Sequence, residues 1–237
     1  MSVKRSDSPL QNIAVGGAMV LGLAIGLLLF NYLPNFLATL LRNRGVDNMI
    51  VINFATEVIK VVFFLGYIGL IGFLPEIRRV FKYHGAEHKA INTLEAEQPL
   101  EMENCKRQTR LHPRCGTSFA MVVLIIGMIL FTFMPKPQFP ESRVVESILR
   151  FAVELPLLPV IAGISYELIR WAGKMKNSTL VRGLFAPGLA TQYLTTREPD
   201  HDQIEVALVA LKAVVDAEEA DKKEKAEQAA VPEDQLA

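Results

Sequence analysis

Ile13-Ala14-Val15-Gly16-Gly17-Ala18-Met19-Val20-Leu21-Gly22-Leu23-Ala24-Ile25-Gly26-Leu27-Leu28-Leu29-Phe30-Asn31-Tyr32-Leu33 is apolar throughout, interrupted only by glycines and Asn31. A helix needs about 20 such residues to cross a bilayer. Lys4 and Arg5 precede the run, and no clear small-x-small cleavage site comes before Pro34, so the sequence predicts an uncleaved anchor. Pro34 should end or kink the helix. Asn35 to Arg44 then reads as a short interfacial helix with Phe36, Leu37, Leu40 and Leu41 toward lipid.

Three more apolar runs follow this first span over 13–33. The second, 49–74, carries Glu57 and Lys60 three residues apart, on one helical face. Intramembrane charge is costly, so the two are expected to neutralise each other or to face the bundle interior. The third, 118–134, is uncharged and stops at Pro135 and Pro137. The fourth, 147–171, contains Glu154, Pro156, Pro159 and Glu167 and predicts a bent helix. Residues 172–198 read as a mixed loop. Asp200 or Asp202 can cap an amphipathic helix over 203–217, and 218–237 reads as a disordered or fraying tail. Hydrophobic residues make up 51% of the 237, with a mean hydropathy of +0.27. The expected fold is therefore all-α, a polytopic membrane bundle of about four spans in one domain, 1–217. The bilayer is its first partner. A formal net charge of zero supplies no basic field for nucleic acid.

The polar excursion 75–117 is where the chemistry gathers. It holds three of the four histidines and both cysteines, Cys105 and Cys115. Ile77, Val80, Phe81, His84, His88, Ile91 and Leu94 recur at helical spacing. Within that helix Tyr83-His84-Gly85-Ala86-Glu87-His88-Lys89 puts two imidazoles four residues apart on one face, about 6 Å apart at Cβ. That is how a helix presents a divalent metal, and His-x-x-Glu-His is the inverted zinc order. His112-Pro113-Arg114-Cys115-Gly116-Thr117 supplies further ligand types. A catalytic zinc takes three protein ligands and keeps one position open. The expected ligands are His84 and His88, with the third from Cys115, His112 or Glu167. Glu87 would be the general base that takes a proton from water activated by the metal. Zinc suits this donor set, while iron, cobalt or manganese would be tolerated. The competing readings are acid-paired histidines without metal and a structural turn at His112–Gly116.

Lys and Arg set the orientation. Lys4, Arg5, the eight cations of the 75–117 loop, and Arg170, Lys174, Lys176, Arg182 and Arg197 fall on one side, fifteen against five. The five opposite are Arg42, Arg44, Lys136, Arg143 and Arg150. The expectation is a multi-pass protein of the inner (cytoplasmic) membrane with both termini and the histidine loop cytoplasmic. That placement argues against a Cys105–Cys115 disulfide and brings Glu167 to the histidine side.

The histidine string, Glu103-Asn104 and His112-Pro113-Arg114-Cys115-Gly116-Thr117-Ser118-Phe119 resemble the YqhQ-like (DUF1385) family of bacterial membrane proteins. So do Ala162-Gly163-Ile164-Ser165-Tyr166-Glu167-Leu168-Ile169-Arg170, Ala186-Pro187-Gly188-Leu189 and Thr195-Thr196-Arg197-Glu198-Pro199. The resemblance spans about residues 10–217. It implies a domain of unknown function carried as a predicted metal-dependent enzyme, and it assigns no role to Cys105. The function expected is a membrane-bound, metal-dependent hydrolase acting on a peptide or lipid-linked substrate. The alternative is a transporter or accessory scaffold in which Glu57, Lys60 and Glu154 line a path and the metal senses or clips. Nothing in the sequence selects a substrate or an oligomeric state.

Overall fold

The computed structural model describes residues 9–137, 139, 141–173 and 179–229. Lys4, Arg5, Lys174 and Lys176 of the charge count, residues 1–8, and the tail beyond Ala229 lie outside the described residues. Among the described residues every regular element is helical. The chain divides into two compact units, residues 1–67 with 120–174, and residues 68–119 with 175–237.

Four helices are long and apolar enough to cross a membrane: Gln11–Arg42, Met49–Ile71, Gly116–Phe133 and Arg143–Trp171. The first unit is built from these spans. Helix α1 (Pro9–Leu27) continues without a break through a π-helical turn, Leu28–Tyr32, into α2 (Leu33–Arg42). Pro34 therefore neither ends the span nor starts a separate interfacial helix. The backbone N–H of Leu33 reaches back five residues to the Leu28 carbonyl. This widened turn comes directly before Pro34, the residue that cannot donate a ladder bond, and it absorbs the missing bond. The second span is α3 (Met49–Ile71), shorter than the predicted 49–74 because Pro75 opens the next helix. The third is α6 (Gly116–Phe133). The fourth begins at α7 (Arg143–Glu154), bends through a 3₁₀ turn at Leu155–Leu157 where Pro156 sits, and resumes as α8 (Leu158–Gly173). Ser142 caps it, its hydroxyl accepting from the Val145 N–H at 3.4 Å.

Apolar side chains of α1 such as Ile13, Met19 and Val20 are 70% or more exposed, the surface a helix presents to lipid. The interior of this unit mixes apolar residues such as Ile52, Phe131 and Ile161 with many polar and charged ones. Asn31, Asn35, Asn53, Glu57, Lys136, Glu146, Arg150 and Glu154 are all buried. On α7 the residues 146, 150 and 154 recur every four positions, so one helical face carries the charges. Arg150 bonds Glu146 at 2.7 Å and the Asn35 carboxamide oxygen at 3.1 Å. Lys60 does meet Glu57, at 3.1 Å, and also Glu154 at 2.8 Å.

The second unit packs α4 (Pro75–Glu95), α5 (Met102–Arg107), α9 (Thr179–Thr195) and α10 (His201–Ala229). Ala86, Ala90, Cys105, Ile204, Ala207 and Leu208 form its core. Small residues on α4 let α10 lie close. Asp200 caps α10, its backbone N–H donating to the Gln203 side-chain oxygen at 2.8 Å while its carboxylate pairs with Lys82 at 2.5 Å. The helix runs twelve residues beyond 217, through Ala, Glu and Lys of high helix propensity, with Lys222–Glu218 and Lys225–Asp221 pairs one turn apart.

Residues 179–195, expected as loop, are helical despite Pro187. Tertiary contact outweighs local propensity here. A Cβ at Gly188 would come within 3.0 Å of the Ser118 Cβ, so glycine permits close approach to the start of α6. One turn on, the buried Gln192 amide donates to the Ser118 hydroxyl and to the His112 carbonyl, both at 2.7 Å, while its oxygen accepts from the His112 N–H at 2.8 Å.

Candidate metal centre

The site lies within the second unit. Helix α4 carries His84 and His88 one turn apart, with ring centroids 4.4 Å apart. Each ring is fixed by its Nδ1. His84 Nδ1 lies 2.9 Å from the Thr195 carbonyl, and His88 Nδ1 lies 2.6 Å from the Arg110 carbonyl. A carbonyl only accepts, so Nδ1 carries a proton in both rings, and Nε2 is the atom each ring can offer to Cys115 or to a metal. This is how a ligating imidazole is held by its outer partners.

Gly85, between the histidine and the buried Ala86, allows the Thr195–Arg197 backbone to approach. A Cβ there would collide with the Arg197 carbonyl oxygen. The segment is tied down further by Arg197 N–H donating to the Phe81 carbonyl at 2.9 Å and by Arg110 donating to the Thr196 carbonyl and hydroxyl.

Cys115 is the residue before α6 and acts as its N-cap. Its thiol accepts from the Thr117 N–H at 3.4 Å and meets the Thr117 hydroxyl at 3.3 Å. Its Sγ lies 3.1 Å from His84 Nε2. Burial would push the thiol up, but hydrogen bonds from His84, His88 and Thr117 outweigh it and bring it from 9.0 down to about 4. The same bond to Cys115 raises His84 above the ordinary imidazole value, against the opposing effect of burial. One ligand atom each from His84, His88 and Cys115 lies within 4.8 Å of the others.

The remaining sequence candidates are placed elsewhere. His112 is buried, but its Nε2 lies 3.0 Å from a Glu95 carboxylate oxygen, which also receives Arg114. With Gln192 on its backbone, His112 docks the 109–116 turn. Glu167 belongs to the first unit, is 66% exposed on its side chain, and pairs with Arg170 at 3.6 Å. Glu87 is exposed. It lines a cavity of about 430 Å³ together with His84, Thr117, Thr195, Tyr83 and the apolar Ile68, Ile71, Val80 and Phe81. Both cysteines are free, and Cys105 receives the Thr93 hydroxyl at 3.2 Å in the core. The carbonyls of Thr195 and Arg110 and the amide of Gln192 are the parts sequence reasoning missed. Only Gln192 left a trace, as a buried-capable amide in a segment whose Pro and Gly suggested loop.

Four helices fit to cross a membrane and a His–His–Cys group outside the apolar runs define a polytopic helical membrane protein carrying a candidate metal centre. The chain belongs to a family described as protein of unknown function (DUF1385), whose model matches residues 1–217. It is 35% identical over 206 residues to the uncharacterized protein YqhQ of Bacillus subtilis (strain 168). The match covers 86% of this chain, which spans 62% of that relative's length. No solved structure matches.

Proposed function

We propose that His84, His88 and Cys115 hold one divalent metal, zinc by their chemistry, and that the protein is a metal-dependent hydrolase. The observation that carries this reading is the convergence of three ligand atoms within 4.8 Å of one another, each ring already held through its Nδ1. Both imidazoles have Nδ1 occupied on carbonyls, and the thiol is held low. Around one tetrahedral zinc, with bonds of about 2.0 Å to nitrogen and 2.3 Å to sulfur, donors stand roughly 3.3–3.6 Å apart. The three atoms, within 4.8 Å of one another, would need to draw together by about 1 Å to reach that spacing. When bound, such an ion polarises a carbonyl and activates water. Glu87, which shares with His84 the wall of the 430 Å³ cavity, would take the proton, and the cavity would give substrate access. The apolar remainder of that cavity suits a peptide side chain or a lipid-linked group. The charge bias supports a site on the cytoplasmic side of the cytoplasmic membrane, with both termini.

The test is hydrolysis of chromogenic acyl esters and fluorogenic peptides by full-length protein loaded with zinc. Glu87→Gln should keep the metal and lose at least about 10²-fold in rate. Equal rates in wild type and Glu87→Gln would refute the assignment.

A second reading has its own observation, the 3.1 Å contact between Cys115 Sγ and His84 Nε2. With Thr195 orienting the imidazole, the pair has the geometry of a cysteine nucleophile and its base. Activity that survives chelation and falls with Cys115→Ser would select it.

A further inference from the structure

Two cavities lie along α4, both within the second unit. The first is the 430 Å³ cavity at His84 and Glu87, whose apolar wall is Ile68, Ile71, Val80 and Phe81. The second, of about 220 Å³, is a groove between α4 and α10 lined by Ala90, Ile91, Val206, Ala210, Leu211 and Val214. Tyr83 and Glu87 line both cavities. These two residues stand one turn apart on one helical face, so the cavities adjoin at the carboxylate assigned as base. From Val80 to Ile91 the helix rises about 16 Å. That is the length of about five residues of extended chain.

The groove is open and, apart from Tyr83 and Glu87, wholly apolar. Val206 and Val214 are 54% and 62% exposed on it. A substrate centred on Glu87 therefore meets apolar surface on both sides of the reacting point. This decides between a lipid-linked and a peptide substrate. An acyl ester has a chain on one side of its carbonyl and a hydrophilic head on the other. One of the two cavities would then strip water from the head and return only hydrocarbon. A peptide bond inside a chain carries side chains in both directions, and apolar ones match both walls.

We infer that the substrate is a polypeptide segment lying along α4 across Glu87, with apolar side chains in both cavities and the scissile bond between them. The inference rests on the hydrolase reading of the His84, His88 and Cys115 centre. Cleavage breaks the C–N bond, gives the hydroxyl of water to the carbonyl carbon and its remaining proton to the amine. Ala210 sets the size of the α10 side: it lines the groove, is exposed, and lies outside the core that Ala207 and Leu208 form. Val80, 58% exposed, does the same for the other cavity.

The probe is a fluorescein-labelled peptide with a leucine pair on each side of a central Ala–Ala, beside two analogues in which one pair or the other is serine. Binding is read by anisotropy with zinc-loaded, full-length Glu87→Gln protein in phosphatidylcholine nanodiscs, against empty nanodiscs. The two-sided peptide is expected to bind at least about tenfold tighter than either analogue. Ala210→Trp should bring it down to the level of one analogue, and Val80→Trp to the level of the other. Equal affinity for all three peptides, or a preference untouched by Ala210→Trp in protein that stays monodisperse, would overturn the inference. Displacement of the peptide by monooleoylglycerol at the same concentration would overturn it in favour of a lipid ester. Failure of the hydrolase reading gives a different pattern. Two-sided binding without cleavage of the peptide by zinc-loaded wild type keeps the peptide site and refutes the hydrolase. Glu87-dependent ester cleavage without the two-sided preference keeps the hydrolase and overturns the inference.

Discussion

Replacing His84 by Gln in metal-free protein should change the pH profile of Cys115 alkylation more than its speed at any one pH. The thiol stands at about 4 against an ordinary 9.0 because the bonds from His84 and His88 outweigh burial. At pH 6 a group at about 4 is roughly 99% thiolate and one near 9 about 0.1%, a thousandfold difference in reactive form. The low-pKa thiolate is the weaker nucleophile. With a Brønsted coefficient of about 0.4–0.5, five units cost it roughly 100- to 300-fold. The net advantage of wild type at pH 6 is then only about 3- to 10-fold. The shape is diagnostic. Wild type should react at a rate nearly flat from pH 5.5 to 8. His84→Gln, losing the largest lowering contact, should show a rate that climbs with pH in this window, by up to about tenfold per unit if the thiol returns to its ordinary value. The assay is iodoacetamide labelling read by peptide mass spectrometry, with Cys115→Ser as blank and the buried Cys105 as internal reference. A wild-type rate that climbs through pH 8 as the variant's does would refute the His84–Cys115 contact and the electrostatics built on it.

Gly85→Ala should destabilise the second unit by about 1–3 kcal/mol or more, because the new methyl meets the backbone carbonyl of Arg197 and not a side chain that can turn away; thermal unfolding in detergent reads it. Gln192→Ala removes three hydrogen bonds and leaves His112 and Ser118 groups unpaired, an expected loss of about 1–3 kcal/mol by the same assay. His112→Ala should lower stability by breaking the bond to Glu95 while metal content stays at the wild-type level. Lys136→Met leaves Glu57 and Glu154 short of a cation and should cost about 3–5 kcal/mol, seen as a lowered Tm.

Much of the fold is legible because the bilayer imposes a length, and runs such as 13–33 and 49–74 have it. What escaped depends on contact. Pro34 looked like a stop because its missing donor is local information, whereas the π turn that accommodates it involves Leu28 and Leu33 together. The helix over 179–195 was hidden because Gly183, Pro187 and Gly188 lower its propensity. Gly188 is there for the approach to Ser118, a residue some seventy positions earlier. At the site, residue types and the i, i+4 spacing brought out His84 and His88. The sequence offered Cys115, His112 and Glu167 as equals for the third place. Choosing among them needed the turn at 109–116, which points Cys115 at His84 and gives His112 to Glu95. The carbonyls of Thr195 and Arg110 that fix the rings are backbone atoms, present at every residue and so marked by none.

Metal content of detergent-purified full-length protein, measured by inductively coupled plasma mass spectrometry after zinc loading and desalting, tests the central claim most directly. The account predicts close to one zinc per chain in wild type and in His112→Ala, and its loss in His84→Ala, His88→Ala and Cys115→Ser proteins that remain monodisperse. A wild type that retains no zinc, or a zinc content unchanged across the three ligand variants, would contradict it.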